Sequence, residues 1–188
     1  MKAGWKTHAI GRHLVDVPGD AKLLEDWKIA GDPLEPLPIK SDTHFKLVVE
    51  QREAELRATP HKKHPSLFIE KAMHAQGAVT LISWDEPHSE IFYRSDSYFR
   101  AGKKAMKYSG EIDPERKKIA LDRRERYAHE WRELRPGEIP EGIGFVAGDM
   151  ILADNRFNRE SWSLSVALAG KPDVGLYLSA YTQSKVEP

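Results

Sequence analysis

The sequence predicts an α+β protein in which an antiparallel sheet packs against two long helices and is followed by a second antiparallel, β-rich segment. Two stretches have apolar residues at helical spacing, each between a helix start signal and a stop signal. Several short stretches alternate apolar and polar residues and are separated by Gly, Pro and Asp. No internal repeat or low-complexity tract is present.

The first predicted strand lies within residues 5–23, closes at Pro18 and turns at Gly19-Asp20. Arg12 and Asp16 lie on the same face of this strand, four residues apart. Side chains at that spacing in a strand are too far apart to touch, so we expect each to have another partner. A second strand is predicted over residues 22–30, followed by a Pro-rich connection.

The first helix is predicted from a cap at Asp42 and Thr43 to about Ala58. The second begins at Asp113-Pro114 and is predicted to end near residue 134. Strands are predicted over residues 68–75, 79–84, 90–93, 98–99 and 104–112, and then over 145–153, 161–168 and 174–182. In the last of these strands Val174, Leu176 and Leu178 are predicted to point inward.

The amino-acid composition argues against several classes of function. The 188 residues contain 29 Lys plus Arg and 29 Asp plus Glu, so no net charge would draw the chain to nucleic acid or to anionic lipid. There are no cysteines, which excludes disulfides, thiolate zinc sites and cysteine nucleophiles. No apolar run approaches the roughly 20 residues of a membrane-spanning helix.

Candidate chemistry is sparse. His61 and His64 have a ligand-like spacing, but they lie in a basic loop without a nearby carboxylate, so a solvated loop is the expected structure. The basic runs 116–118 and 123–126 are interspersed with acidic residues and are expected to form a solvated helix face. No nucleophile motif is present, and the glycines of 142–148 open a strand rather than a helix. The residues therefore predict no catalytic, cofactor or metal site and favour a binding or structural protein over an enzyme.

Two segments resemble a known family. Residues 11–18, GRHLVDVP, resemble the opening strand of the N-terminal domain of immunity proteins against type VI secretion lipase effectors. Residues 142–152 followed by 160–182 resemble the start of the same family's C-terminal domain, with a Gly-Phe entry, a Glu-led strand and a Gly-x-Pro-Asp-Val stretch that leads into another strand. The motif positions are Gly11, Arg12, Asp16, Pro18, Gly144, Phe145, Glu160, Gly170, Pro172, Asp173 and Val174, with His13 at a position that is usually aromatic.

The resemblance implies a periplasmic protein that binds a cognate phospholipase or lipase effector and sterically blocks its active-site entrance. It implies no cofactor, and it does not identify the interface residues. It also implies an N-terminal domain over residues 1–138 and the start of an incomplete C-terminal domain over 139–188. The export signal that such proteins need is absent, and without the resemblance a cytoplasmic location is the expectation.

The resemblance also implies that many members of the family carry cysteines where Ala9 and Val146 stand. The paired absence suggests the hypothesis that these cysteines form a disulfide, which requires Cα atoms within roughly 7 Å of each other. Two alternatives to the immunity function stay open at this point. One is a small hydrolase-like enzyme, which predicts a pocket with a histidine within hydrogen-bond reach of Ser, Asp or Glu. The other is a periplasmic scaffold or interaction domain with a different protein partner.

Overall fold

The structure is a computed structural model that describes residues 4–154, 156, 159–171 and 173–182. Two helices, α1 and α2, and thirteen strands follow one another along this part of the chain. In order they are β1 (Trp5–Ile10), β2 (His13–Pro18), β3 (Lys22–Ile29), β4 (Asp32–Pro36), α1 (Asp42–Ala58), β5 (Phe68–Met73), β6 (Val79–Trp84), β7 (Tyr93–Ala101), β8 (Lys104–Ile112), α2 (Lys117–Glu130), β9 (Trp131–Glu133), β10 (Phe145–Ala147), β11 (Met150–Leu152), β12 (Glu160–Ala167) and β13 (Gly175–Thr182). The predicted α+β class is confirmed.

The chain divides into two compact units that are discontinuous in sequence. The first consists of Met1–Leu34 and Leu134–Pro188, and the second is Glu35–Glu133. These units do not coincide with the predicted domains 1–138 and 139–188, because the first strands of the chain pair with strands near its end. The predicted domain boundary therefore stays a prediction about the order of the family's domains along the chain.

The first unit contains three groups of antiparallel strands. β1 and β2 form a hairpin, β10 and β11 form a second hairpin, and β13, β12, β3 and β4 are neighbours in that order. Residues 5–18, predicted as one strand, are thus two strands joined at Gly11-Arg12. The segment 32–36, predicted as a connection, is strand β4, which pairs with β3 despite its prolines.

Strand β12 alternates buried and partly exposed residues. Trp162, Leu164 and Val166 are buried, while the serines between them are partly exposed. The prediction for β13 is wrong: Val174, Leu176 and Leu178 are 47%, 48% and 37% exposed. This strand pairs with β12 through Leu178 opposite Leu164, but its residues lie at the outer end of the strand order. An apolar alternation does not distinguish a covered strand from an edge strand.

The second unit packs α1 and α2 against the strand order β8, β7, β6, β5. Helix α1 has the predicted bounds, although Ser41 rather than Asp42 or Thr43 caps it by accepting the N–H of His44. Its buried residues join an apolar cluster of this unit, which contains Phe45, Val49, Leu56, Leu67, Val79, Leu81, Tyr98 and Ala105. Helix α2 is shorter than predicted, because its first turn, Pro114–Arg116, is a 3₁₀ helix and the chain from Trp131 is extended.

Candidate functional site: the motif cluster and its groove

The motif cluster is built around a tight turn between β1 and β2. Ile10 pairs with His13, so Gly11 and Arg12 are the two residues of the connection. Gly11 has φ of 56°, and a glycine at the first central position of a two-residue hairpin loop is typical of a type II′ turn. The glycine therefore makes the turn possible and presents Arg12 at the end of the hairpin.

Arg12 forms a buried, bidentate ion pair with Glu160 at the start of β12. Its Nε lies 2.6 Å from Glu160 Oε2, and its Nη2 lies 2.7 Å from Glu160 Oε1. The guanidinium also donates to the carbonyl oxygens of Asp154 and Arg156, at 3.0 and 2.7 Å. The two side chains are only 9% and 1% exposed. Such fork-to-fork pairs are directional and strong, so this pair fixes the hairpin to β12 and to the loop before it.

Trp162 covers the turn from the side. A Cβ atom built on Gly11 would overlap the Trp162 ring and would lie 2.6 Å from its Nε1. That Nε1 donates to His13 Nδ1 at 3.1 Å, and the two ring centroids are 5.4 Å apart. His13 thus occupies the usually aromatic position of the motif with an aromatic contact and a hydrogen bond.

The second motif segment contacts the same turn. Gly11 and Val146 exchange two backbone hydrogen bonds of 2.8 Å each. Gly144 lies so close to the next strand that a Cβ atom there would be 2.5 Å from Ile151 Cδ1 and 3.0 Å from the Leu152 carbonyl oxygen. Phe145 is 1% exposed. The two segments that carry the resemblance therefore meet in space, through the backbone pair of Gly11 with Val146 and the ion pair of Arg12 with Glu160.

The other motif residues lie outside this cluster. Asp16 accepts a hydrogen bond from Thr7 Oγ1 across the hairpin at 2.8 Å, which is the separate partner that its spacing from Arg12 predicted. Pro18 pairs with Trp5 at the far end of the same hairpin. Gly170 and Asp173 lie in the exposed turn between β12 and β13, and Pro172 lies outside the described residues. Their roles as family motif residues stay a prediction.

A groove of about 410 Å³ runs along the motif cluster. Its wall residues include Arg12, His13 and Gly144 of the motif and the apolar side chains of Leu14 and Ile143. Leu14 is 58% and Ile143 65% exposed, so both present apolar surface at the groove. Its lining is mostly apolar, and the described residues contribute no carboxylate to it, so it suits an apolar side chain of a partner.

The packing around Ala9 bears on the disulfide hypothesis. Ala9 packs against the small apolar cluster of Leu134, Val146 and Ile151. Ala9 is two residues from Gly11, which pairs with Val146. We predict that the variant with Ala9→Cys and Val146→Cys forms a disulfide on oxidation and gains about 2–4 kcal/mol of unfolding free energy over its reduced form. The measurement is denaturation with and without reductant; failure to crosslink, with a Cα separation above about 10 Å, dismisses the hypothesis.

One histidine of the second unit bears on the alternative of a hydrolase-like enzyme. His74 Nδ1 lies 3.1 Å from Glu125 Oε2, and His74 Nε2 lies 2.9 Å from Thr80 Oγ1. This order of carboxylate, imidazole and hydroxyl is that of a catalytic triad. However, Thr80 is 0% exposed, so no substrate can reach its hydroxyl in this arrangement. The contacts satisfy the distance criterion of the enzyme prediction, but the hydroxyl of this group is not accessible to a substrate.

The prediction of a solvated loop at His61 and His64 is wrong for His61, which is buried. His61 is 7% exposed and its ring stacks with those of His64 and Trp84, at centroid distances of 4.9 and 5.1 Å. Its Nε2 lies 2.8 Å from the Ser89 carbonyl oxygen. Within the described residues no group of three or more His, Cys, Asp or Glu side chains could hold a metal ion. The contacts of the His61 ring with the rings of His64 and Trp84, and its hydrogen bond to Ser89, hold this loop in place.

Two buried ionic groups could not be identified from the sequence. Arg124, predicted to lie on a solvated helix face, is 3% exposed and its guanidinium lies 4.1 Å from the centroid of the Tyr108 ring. Asp96 is 2% exposed and accepts hydrogen bonds from Arg52 Nε at 2.8 Å and from Ser109 Oγ at 2.7 Å. Burial opposes the ionisation of Asp96, but these donors and Lys107 hold its pKa below the ordinary value.

Comparison with known proteins gives structural matches only. No family model matches the chain, and no curated protein matches it. A chain in the crystal structure of the Tle4–Tli4 complex is 26% identical, with a TM-score of 0.93 over 100% of this chain and 63% of that one. The apo structure of the immunity protein TplEi of the type VI secretion system from Pseudomonas aeruginosa is also 26% identical, with a TM-score of 0.92 over 99% and 63%. TplEi complexed with an "L" peptide is 25% identical, with a TM-score of 0.84 over 100% and 62%.

These matches define the class of the protein: its fold is that of type VI secretion immunity proteins. At 25–26% identity these structures bear out the resemblance to type VI secretion immunity proteins seen in the two motif segments. It spans about 63% of the length of the first two matched chains. In the described part of this chain, no helix is both long and apolar enough to cross a membrane.

Proposed function

We propose that this chain is an immunity protein that binds a cognate type VI secretion phospholipase or lipase effector and inhibits it by covering the entrance to its active site. The observation that carries this proposal is the similarity to immunity proteins over the whole chain, at TM-scores of 0.92 and above in two structures. One of these structures is of a complex between two proteins, Tle4 and Tli4. Inhibition by covering needs no cofactor and no reactive group in the inhibitor.

The groove along the motif cluster is the surface that best suits the effector in the first unit. Its exposed apolar residues, Leu14 and Ile143, flank a concave surface of about 410 Å³. Interfaces draw most of their affinity from a few apolar or aromatic groups that fill such pockets, surrounded by a polar rim. The fixed Arg12–Glu160 pair beneath the groove favours tight binding because a rigid surface loses little entropy on association.

The alternatives have weaker support. A hydrolase would need a histidine and a hydroxyl that a substrate can reach, and the hydroxyl next to His74 is fully buried. A scaffold with another partner could use the same groove, so binding to a lipase effector is the measurement that separates the two. The proposed compartment is the periplasm, because this chain would encounter there an effector that attacks phospholipids from the periplasmic side.

The proposal is tested by producing this chain in the periplasm together with a type VI lipase effector encoded beside it. We expect the cells to survive the effector, and the purified pair to bind and to lose lipase activity. Leu14→Asp combined with Ile143→Asp should weaken binding at least tenfold, whereas Ile119→Asp, at a residue 61% exposed on α2, is the matched control and should bind normally. Normal binding by the double variant would reject the groove alone; no binding by the unmodified chain would reject the function.

We also propose that residues 1–138 correspond to the family's N-terminal domain and 139–188 to the start of its C-terminal domain. The exposure of β13 is the observation that bears on this division. Leu176 and Leu178 point to the face where their partners in β12, Val166 and Leu164, are buried, yet they are 48% and 37% exposed themselves. Within the described residues, this face of the strand is left uncovered although its sequence is typical of a buried face.

The substitution Leu176→Glu tests whether the apolar side chains of β13 are exposed in solution. Because the side chain is half exposed, we expect the free energy of unfolding to change by no more than about 0.5 kcal/mol, and self-association to decrease because a charge protects an edge strand. Leu164→Ala in β12, where the side chain is 0% exposed, is the contrast and should cost about 2–5 kcal/mol. Denaturant unfolding and sedimentation measure the two effects, and a loss of stability from Leu176→Glu as large as that from Leu164→Ala would contradict the proposal.

A further inference from the structure

The turn between β6 and β7 exposes two adjacent apolar residues. It consists of residues 85–92, and Ile91 and Phe92 at its end are 69% and 39% exposed. We call these two residues the apolar tip. A single exposed apolar side chain is ordinary on a protein surface, but two neighbours on one turn concentrate apolar surface that burial against a partner would stabilise.

The backbone of this turn is held from two sides. The N–H of Asp85 donates to the carbonyl oxygen of Phe92 at 3.4 Å, which closes the turn at its base. The N–H of Lys62, in the preceding loop, donates to the carbonyl oxygen of Pro87 at 2.9 Å. The turn is therefore connected both across itself and to the loop of residues 61–64.

His61 holds the middle of the turn. Its Nδ1 accepts the backbone N–H of Lys63 at 3.1 Å, which places the ring proton on Nε2. Nε2 then donates to the carbonyl oxygen of Ser89 at 2.8 Å. The His61 ring also stacks with Trp84 at the end of β6, and Trp84 stacks with His64 at a centroid distance of 4.7 Å. Directed hydrogen bonds and stacked rings thus fix the arrangement of the turn before any partner binds.

The charges around the apolar tip are mainly acidic. The turn contains Asp85, Glu86 and Glu90 and no Lys or Arg. Lys63 pairs with Glu90 at 2.6 Å, and Arg94 lies 3.8 Å from Asp85. Anionic lipid surfaces attract clusters of Lys and Arg rather than carboxylates. The charge of the turn therefore favours a protein partner over a membrane surface.

The kind of protein surface follows from the proposed function, on which this inference rests. An enzyme that hydrolyses phospholipids must present apolar surface where the acyl chains enter. Ile91 and Phe92 offer apolar groups to such an entrance, with polar side chains around them. Apolar anchors within a polar rim carry much of the affinity of protein interfaces. An anchor that is held in place before binding also loses little conformational entropy on insertion.

We propose that the apolar tip, Ile91 and Phe92, is a plug that enters the acyl-chain entrance of the cognate lipase effector. The tip then occupies the place of the substrate's chains, so that the tip and an acyl chain exclude each other. The plug inserts into the partner, whereas the groove of the first unit receives a side chain from it. The two surfaces are therefore separate contributions to binding, and each can be removed without the other.

The first test measures inhibition of the effector encoded beside this chain. Ile91→Asp combined with Phe92→Ser should weaken inhibition at least tenfold, because a carboxylate and a hydroxyl are costly to bury in an apolar entrance. Leu47→Asp, at a residue 47% exposed on α1, is the matched control and should inhibit normally. If the double variant unfolds, Ile91→Asp alone at this largely exposed position gives the same comparison.

The results separate the plug from the function on which it rests. Normal inhibition by the tip variants, with inhibition by the unmodified chain intact, overturns the plug and leaves the proposed function standing. No inhibition by the unmodified chain rejects the function and the plug together. A loss of inhibition in Leu47→Asp as large as that in Ile91→Asp also overturns the plug, because any added charge on this unit would then have the same effect.

A competition experiment tests where the tip binds. A short-chain ether phosphatidylcholine, whose chains cannot be hydrolysed, is added below its micelle concentration to the effector and the unmodified chain. We expect the apparent affinity to decrease as the ether lipid fills the acyl entrance, and glycerophosphocholine, which lacks the chains, to have no effect. Equal affinity with and without the ether lipid overturns the proposal. So does sedimentation of the unmodified chain, but not of Ile91→Asp, with phosphatidylglycerol vesicles, because the tip would then bind a membrane surface.

Discussion

Replacing Glu160 with alanine is expected to lower the free energy of unfolding by about 3–5 kcal/mol. The reason is the state in which the substitution leaves Arg12. Its guanidinium is 9% exposed and pairs with both carboxylate oxygens of Glu160, so removal of the carboxylate leaves a buried cation without its counter-ion. Two backbone carbonyls still accept from Arg12, which reduces the loss but cannot replace the charge. Urea denaturation at pH 7 measures the effect.

Glu90→Ala is the matched control for this prediction. Lys63 and Glu90 are also 2.6 Å apart, but their side chains are 59% and 43% exposed. Surface pairs of this kind contribute about 0–1 kcal/mol, so the control separates the effect of burial from that of ion pairing itself. Replacing both Arg12 and Glu160 with methionine should recover part of the stability lost in Glu160→Ala. A cost below about 1 kcal/mol for Glu160→Ala would mean that the guanidinium finds water or another partner at little expense.

Local sequence signals predicted the regular elements well. Helix α1 has the predicted bounds, Asp42–Ala58, and strand β8 has the predicted bounds, Lys104–Ile112. Both elements combine a clear spacing of apolar residues with a clear stop signal, namely Thr59-Pro60 after α1 and Asp113-Pro114 after β8.

The prediction of β1 and β2 as one strand was wrong for a simple reason. Apolar residues alternate on both sides of Gly11, and the only sign of a turn is that single glycine.

Contacts between distant residues could not be predicted from spacing. Arg12 and Glu160 are 148 positions apart, and only the family resemblance marked both of them. Arg124 belongs to a run of charges that is solvated in most helices, yet the serines of β7 and the ring of Tyr108 make a polar and aromatic site for it. Which face of a strand or helix is covered depends on elements elsewhere in the chain. The exposure of β13 and the burial of Arg124 are two results of that dependence.

The second large effect is expected at Gly11, the residue on which the motif cluster depends. Gly11→Ala should destabilise the chain by about 2–5 kcal/mol, from two causes that add. A residue with a Cβ atom is strained at φ of 56°, and the new Cβ atom would overlap the Trp162 ring. If the ring moves, its Nε1 loses the hydrogen bond to His13, and the turn that presents Arg12 to Glu160 is displaced as well.

Gly137→Ala separates the two causes, because Gly137 has φ of 73° and no atom within 4 Å of the position that a Cβ atom would occupy. Its cost, about 1–2 kcal/mol, is the cost of the backbone conformation alone. The excess of Gly11→Ala over Gly137→Ala then measures the overlap with Trp162, and Trp162→Leu, which removes the indole ring, should reduce that excess when combined with Gly11→Ala. Equal costs for the two glycine variants would show that the ring moves aside freely. In that case the contact between turn and ring would not be what holds the first motif segment in place, and the Arg12–Glu160 pair would have to do so without it.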